Sequence, residues 1–83
     1  MNAIQKMSRY FFDIQDGGLF HDEKGLELAN DDRAIQEACR VLGEVVRDEI
    51  KGHPETFVCR IKREGRTVIE VKMQITIDQQ PES

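Results

Sequence analysis

The chain has 83 residues, 39% of them apolar and 34% charged, with a formal net charge of −4 at pH 7. That length holds one domain with a thin core, and the acidic balance argues against duplex nucleic acid, whose binding rests on neutralising phosphates. No apolar run approaches the ~18 residues of a membrane span, and the opening "MNAIQKMS" lacks the hydrophobic stretch of a secretory signal, so a cytoplasmic protein without a membrane partner is expected.

Residues 1–7 form a mixed polar lead, expected to be disordered, as is the tail over 79–83; residues 8–78 are expected to fold as a single domain. From Arg9 to Gln15 the chain alternates, with Tyr10, Phe12 and Ile14 on one face and Phe11 and Asp13 on the other, which is strand periodicity in strong β-formers. Asp16-Gly17-Gly18 supplies residues that accept positive φ, so a reversal into a short antiparallel strand over 19–21 follows. A second turn over 22–25 returns Leu26 and Leu28 towards the core.

The run from Asn30 to Gly52 predicts a helix over 31–51. Asn30 or Asp31 caps it, and Asp31 and Asp32 sit where the helix dipole favours negative charge. Ile35, Ala38, Cys39, Leu42, Val45, Val46 and Ile50 recur at helical spacing as the expected buried stripe, and Gly52 and Pro54 end the element. Two strands follow. Over 56–63 Phe57, Cys59 and Ile61 face one way and Val58, Arg60 and Lys62 the other; Glu64-Gly65-Arg66 turns the chain; over 67–78 Ile69, Val71, Met73, Ile75 and Ile77 point inward. The order β-β-α-β-β, with one apolar stripe on the helix and one apolar face per strand, predicts an α+β two-layer sandwich: one antiparallel sheet with the helix on a single face. Tyr10, Phe12 and Ile14 are expected beneath the helix, beside the last strand, and Phe11 on the opposite face.

Chemistry-bearing residues are sparse. His21 and His53 stand about thirty residues apart without the close-spaced second ligand a zinc site requires, and read as solvated loop residues. Counted from Asp13, an EF-hand loop fails at Gln15, Gly17 and Lys24. The only serines, Ser8 and Ser83, lie near the ends, and Cys39 and Cys59 sit in apolar patterns as expected buried free thiols. No phosphate-binding glycine-rich loop is present. The expectation is a non-enzyme with no catalytic residue, metal or cofactor.

Charge is more informative. Residues 13–32 hold seven acids against one base, Lys24, whereas residues 57–77 hold five bases against two acids. Arg60, Lys62 and Lys72 share the sheet face away from the helix with Phe11, and these four make up the candidate interaction surface. Either it is a solvated face whose charges blunt the sheet edges, or it contacts protein, whether a second copy or a small partner. Weak nucleic-acid binding through the basic C-terminal hairpin is the remaining alternative.

The run "RYFFDIQDGG", then "DEKGLEL" and "RAIQEACR", resembles a family of small bacterial proteins known only as a domain of unknown function. Arg9, Tyr10, Phe11, Phe12, Asp16, Gly17, Asp22, Gly25, Glu27, Leu28, Ala34, Glu37 and Ala38 match its pattern. The likeness covers residues 7 to about 51 and implies kinship of fold without a site. Members begin near Met7, so residues 1–6 read as an upstream extension. A looser likeness runs to HicB-type antitoxins, which place a strand, an Asp-Gly turn and a second strand before an acid-opened helix. That likeness implies an adaptor binding one small protein partner.

Overall fold

In a computed structural model that describes residues 7–81, β1 (Ser8–Gln15) lies inside the sheet with strands on both sides. The expectations for the lead before Met7 and for the last two residues lie outside the described residues. β2 (Leu19–Phe20) and β3 (Leu26–Leu28) follow, then α1 (Asp31–Glu49), β4 (Glu55–Arg63) and β5 (Arg66–Ile75). The fold is α+β: a five-stranded sheet, order β2-β1-β4-β5, with β3 also on β1, and every pairing antiparallel. Leu26–Leu28 is thus a strand where only a return of the chain was expected.

β1 sits beside β4, with Phe12 opposite Ile61 and Ile14 opposite Cys59. This corrects the expectation that Tyr10, Phe12 and Ile14 lie beside the last strand, since β5 is the outer strand and pairs with β4 alone. Their facing is as expected. Tyr10, Phe12 and Ile14 join Phe57, Cys59 and Ile61 under Ala34, Ala38 and Leu42 of the helix. Ala34 and Ala38 are fully buried, and their small side chains let the helix sit close on the sheet. Burial pushes the Cys59 thiol up to about 12, so it stays a neutral core group.

α1 is capped by Asn30, whose side chain accepts from the Arg33 N–H at 2.9 Å, and Asp31 and Asp32 occupy its first turn. Its buried stripe is rotated from the expected one. Ala34, Ala38 and Leu42 are its buried residues, while Ile35, Cys39 and Ile50 are exposed. Its apolar surface is wider than its contact with the sheet, so residues one position around from Ala34 and Ala38 fall on the flank. Cys39 is therefore a surface thiol, contrary to expectation; both cysteines are free. Leu26 is 41% exposed and Ile77 47% exposed, the second because β5 ends at Ile75. The β4–β5 turn places Glu64 at φ 54° and Gly65 at φ 78°, the positive pair that matches the twist of a two-residue hairpin.

Tyr10, Asp31 and Arg63 fasten the start of the helix to the sheet. The Tyr10 hydroxyl donates to Asp31 Oδ1 at 2.7 Å, and Arg63 Nη1 donates to the same oxygen at 2.5 Å while its guanidinium lies 5.6 Å from the Tyr10 ring centroid. The Tyr10 bond, and then the Arg63 charge, hold the Asp31 carboxyl below its ordinary range.

Candidate functional site

The outer edge of β1 is covered in two pieces with a gap between them. Ser8–Tyr10 pair with β3 and Ile14–Gln15 with β2, leaving the middle of the strand without a backbone neighbour on that side. Asp22 fills the gap. Its Oδ2 accepts the Phe12 N–H at 3.1 Å, and its Oδ1 accepts the N–H groups of Lys24 and Gly25 at 3.0 and 3.1 Å. One carboxylate thus stands in for a missing strand and shapes the turn that carries it. Gly25 completes the turn at φ 72°, where an added Cβ would lie 2.9 Å from both Phe11 Cε2 and the Tyr10 carbonyl oxygen. The spacing Asp22-Glu23-Lys24-Gly25 is set by these two requirements.

On the face away from the helix, Asp13 is buried to 5% exposure, although its place in the alternation suggested an open surface. Its Oδ2 receives Lys62 Nζ at 2.7 Å and lies 3.0 Å from His21 Nδ1, and its Oδ1 accepts the Asp22 N–H at 3.1 Å. Burial pushes the Asp13 carboxyl up, but bonds from Lys62 and the Asp22 backbone, with the Lys62 charge, more than offset this and hold it below its ordinary value. A carboxylate only accepts, so His21 donates to it from Nδ1, and the His21 side chain stays 60% exposed. His21 is exposed, as a loop residue was expected to be, but it is anchored. An oriented imidazole is one half of a general-base arrangement. The shallow cavity around it is lined by Phe11, Asp13, His21, Asp22, Glu23, Lys62 and Gly65, none of which offers a hydroxyl or thiol to activate. Through these contacts the cluster staples the 21–25 loop onto β1 and β4.

Of the four candidate surface residues, Phe11 is half-buried on this face, with Gly25 against its ring. Lys62 is taken up by Asp13. Arg60 bonds Glu70 at 3.0 Å and the Gln15 side-chain oxygen at 2.9 Å, and Lys72 Nζ is 3.4 Å from Glu70. The structure brings Phe11 and Lys62 together and places Arg60 and Lys72 around Glu70. The face is therefore a charge-matched lattice. Sequence reading missed Asp13 and Asp22; the available signal was an acid set inside an aromatic strand with a basic strand to pair with, and an Asp-x-x-Gly turn after it.

The opposite edge differs. β5 presents its outer side for ten residues, and among the described residues no strand pairs with it. Among those residues, too, no helix is long and apolar enough to cross a membrane.

A family model described as a domain of unknown function (DUF6894) matches residues 9–74, from the first aromatic strand almost to the end of β5. The chain belongs to this family. The match takes in the Asp22 plug, the Asp13 staple and the β4–β5 hairpin up to its last residue, so the DUF6894 region and the folded sheet-and-helix unit nearly coincide. No curated protein and no solved structure matches the chain.

Proposed function

We propose that this DUF6894 domain is a non-enzymatic protein-interaction module that works through the free edge of its sheet, pairing with a second copy of itself. The observation that carries the reading is the open edge of β5, whose central residues Ile69–Met73 are self-complementary. With two β5 strands antiparallel about a two-fold axis at Val71, Glu70 of each copy stands opposite Lys72 of the other. Ile69 then stands opposite Met73, and Val71 meets itself. Acid faces base on the open side and apolar faces apolar on the helix side, the cross-strand pairings that stabilise sheets. The pairing also satisfies a row of backbone groups that otherwise face water. Nucleic acid finds less support on the neighbouring face, because Arg60, Lys62 and Lys72 already have acids beside them.

Light scattering across a concentration series tests this. The chain is expected to dimerise, and Lys72→Glu or Glu70→Lys alone to weaken the dimer at least about tenfold, since two favourable pairs become two like-charge contacts. Mixing the two variants restores acid opposite base and is expected to give a heterodimer. A chain that stays monomeric up to millimolar concentration, or variants that dimerise as the parent does, would overturn the reading.

A further inference from the structure

On the helix side of the sheet, a groove of about 610 Å³ runs between α1 and the arm formed by β2 and β3. Its floor is Phe12 and Ile14, and its walls are Val41 and Val45 on one side and Phe20 and Leu26 on the other. Phe20 is 65% exposed and Leu26 41%, a large apolar area for so small a chain to leave in water. The charges lining it all have one sign: Asp16, Asp22, Glu37, Glu44, Asp48 and Glu49, with no lysine, arginine or histidine among them. Arg40 clasps Glu37 and Glu44 from outside the groove, which leaves the acids in clear excess.

We infer that this groove binds an amphipathic, basic helix of a protein partner, its apolar face seated between Phe20 and Val45 and its lysines or arginines on the acidic rim. Charge complementarity selects a cation-bearing segment. The backbone selects a helix over a strand. An extended peptide binds by adding to a sheet edge, and the edge bordering this groove is already taken by β2, Asp22 and β3. A helix satisfies its own backbone and needs from the groove only apolar contact at i, i+3, i+4 and i+7, with polar flanks. This surface is separate from the β5 edge, so a chain that fails to dimerise leaves the inference intact.

The test uses the full chain, isotope-labelled, and two synthetic peptides with leucines at helical spacing, one otherwise lysine and one otherwise glutamate. The lysine peptide is expected to shift the amide resonances of Phe20, Val41 and Val45 and to gain helicity, and the glutamate peptide to bind at least about tenfold more weakly. Phe20→Ser, at an exposed site, is expected to weaken binding about tenfold without changing any charge. Asp48→Lys combined with Glu49→Lys should do the same, whereas Glu64→Lys combined with Asp78→Lys, away from the groove, should have little effect. The inference is overturned by absence of binding, by equal binding of both peptides, or by shifts mapping to β5 or the open face. It is also overturned if the groove resonances move with protein concentration alone, which would make a second copy the occupant.

Discussion

The two edges of the sheet are built from similar alternating strands and end differently. On the β1 side the exposed backbone is closed by two short strands and one carboxylate, and the Asp13 cluster pins the loop that carries it. On the β5 side no strand or carboxylate covers the edge among the described residues; it is long, irregular only at Val68 where the pairing with β4 slips by one residue, and carries Glu70 and Lys72 on one face. Natural sheets usually protect edges that are not meant to pair. A chain that closes one edge with a dedicated turn and leaves the other open keeps unpaired strand backbone on one side among its described residues. The groove proposed to take a basic helix lies on the closed side.

The largest expected effect breaks the closed side from beneath. Phe12→Ala removes a buried aromatic from the core under β1 and is expected to cost ~3–5 kcal/mol, comparable to the whole stability of a domain this small. Phe11→Ala, on the other face and half-buried, should cost far less; equal losses in denaturant melts would show that the two faces of β1 share the load. Next in size is the turn. Gly25→Ala forces a left-handed backbone and a 2.9 Å contact with Phe11 and the Tyr10 carbonyl, at a cost of about 1–3 kcal/mol. Gly43→Ala, in the helix with open space around it, should instead stabilise by about 0.5–1 kcal/mol. Hydrogen exchange sharpens the comparison, because the Phe12 amide should lose its protection in the Gly25 variant while β4 amides keep theirs.

The smallest effect is electrostatic. Asp13 holds its proton less readily when folded than when unfolded, because Lys62 and the Asp22 N–H favour the carboxylate. Its contribution to stability is therefore complete above its ordinary value of 3.8 and is lost as pH falls through the lower folded value. Acid titration of stability is expected to steepen below about pH 4, and Asp13→Asn to flatten that slope. An unchanged slope would assign the acid response to the other carboxyls held low, Asp31 by the Tyr10 bond first and Glu37 by the Arg40 bond first.

Much of this architecture was readable before any coordinates. Alternation marks a strand and 3.6-residue spacing marks a helix because both are properties of a few neighbouring residues, and so the helix from Asp31, expected to run to 51 and ending at Glu49, the turn around Glu64-Gly65 and the inward facing of Phe57, Cys59 and Ile61 were legible. The helix rotation was not. A stripe read from sequence locates apolar residues but not the width of the surface they cover, and Cys39 and Ile35 fell outside it. The site was less legible still. Arg60, Lys62 and Lys72 were visible as cations on one face, but their pairing with Asp13 and Glu70 depends on which strands lie side by side.

By itself, then, the sequence determined the helix's place in the chain, the long strands with their facings and the α+β class, since local periodicity and turn chemistry act within a few residues, whereas β3 and the rotation of the helix lay beyond it. Tertiary structure decided the strand order, the burial of Asp13 and the closing of one edge by Asp22 while the other stayed open. Those outcomes arise from contacts between residues far apart in the chain, such as Asp13 with Lys62, and no local pattern encodes which distant strand becomes a neighbour.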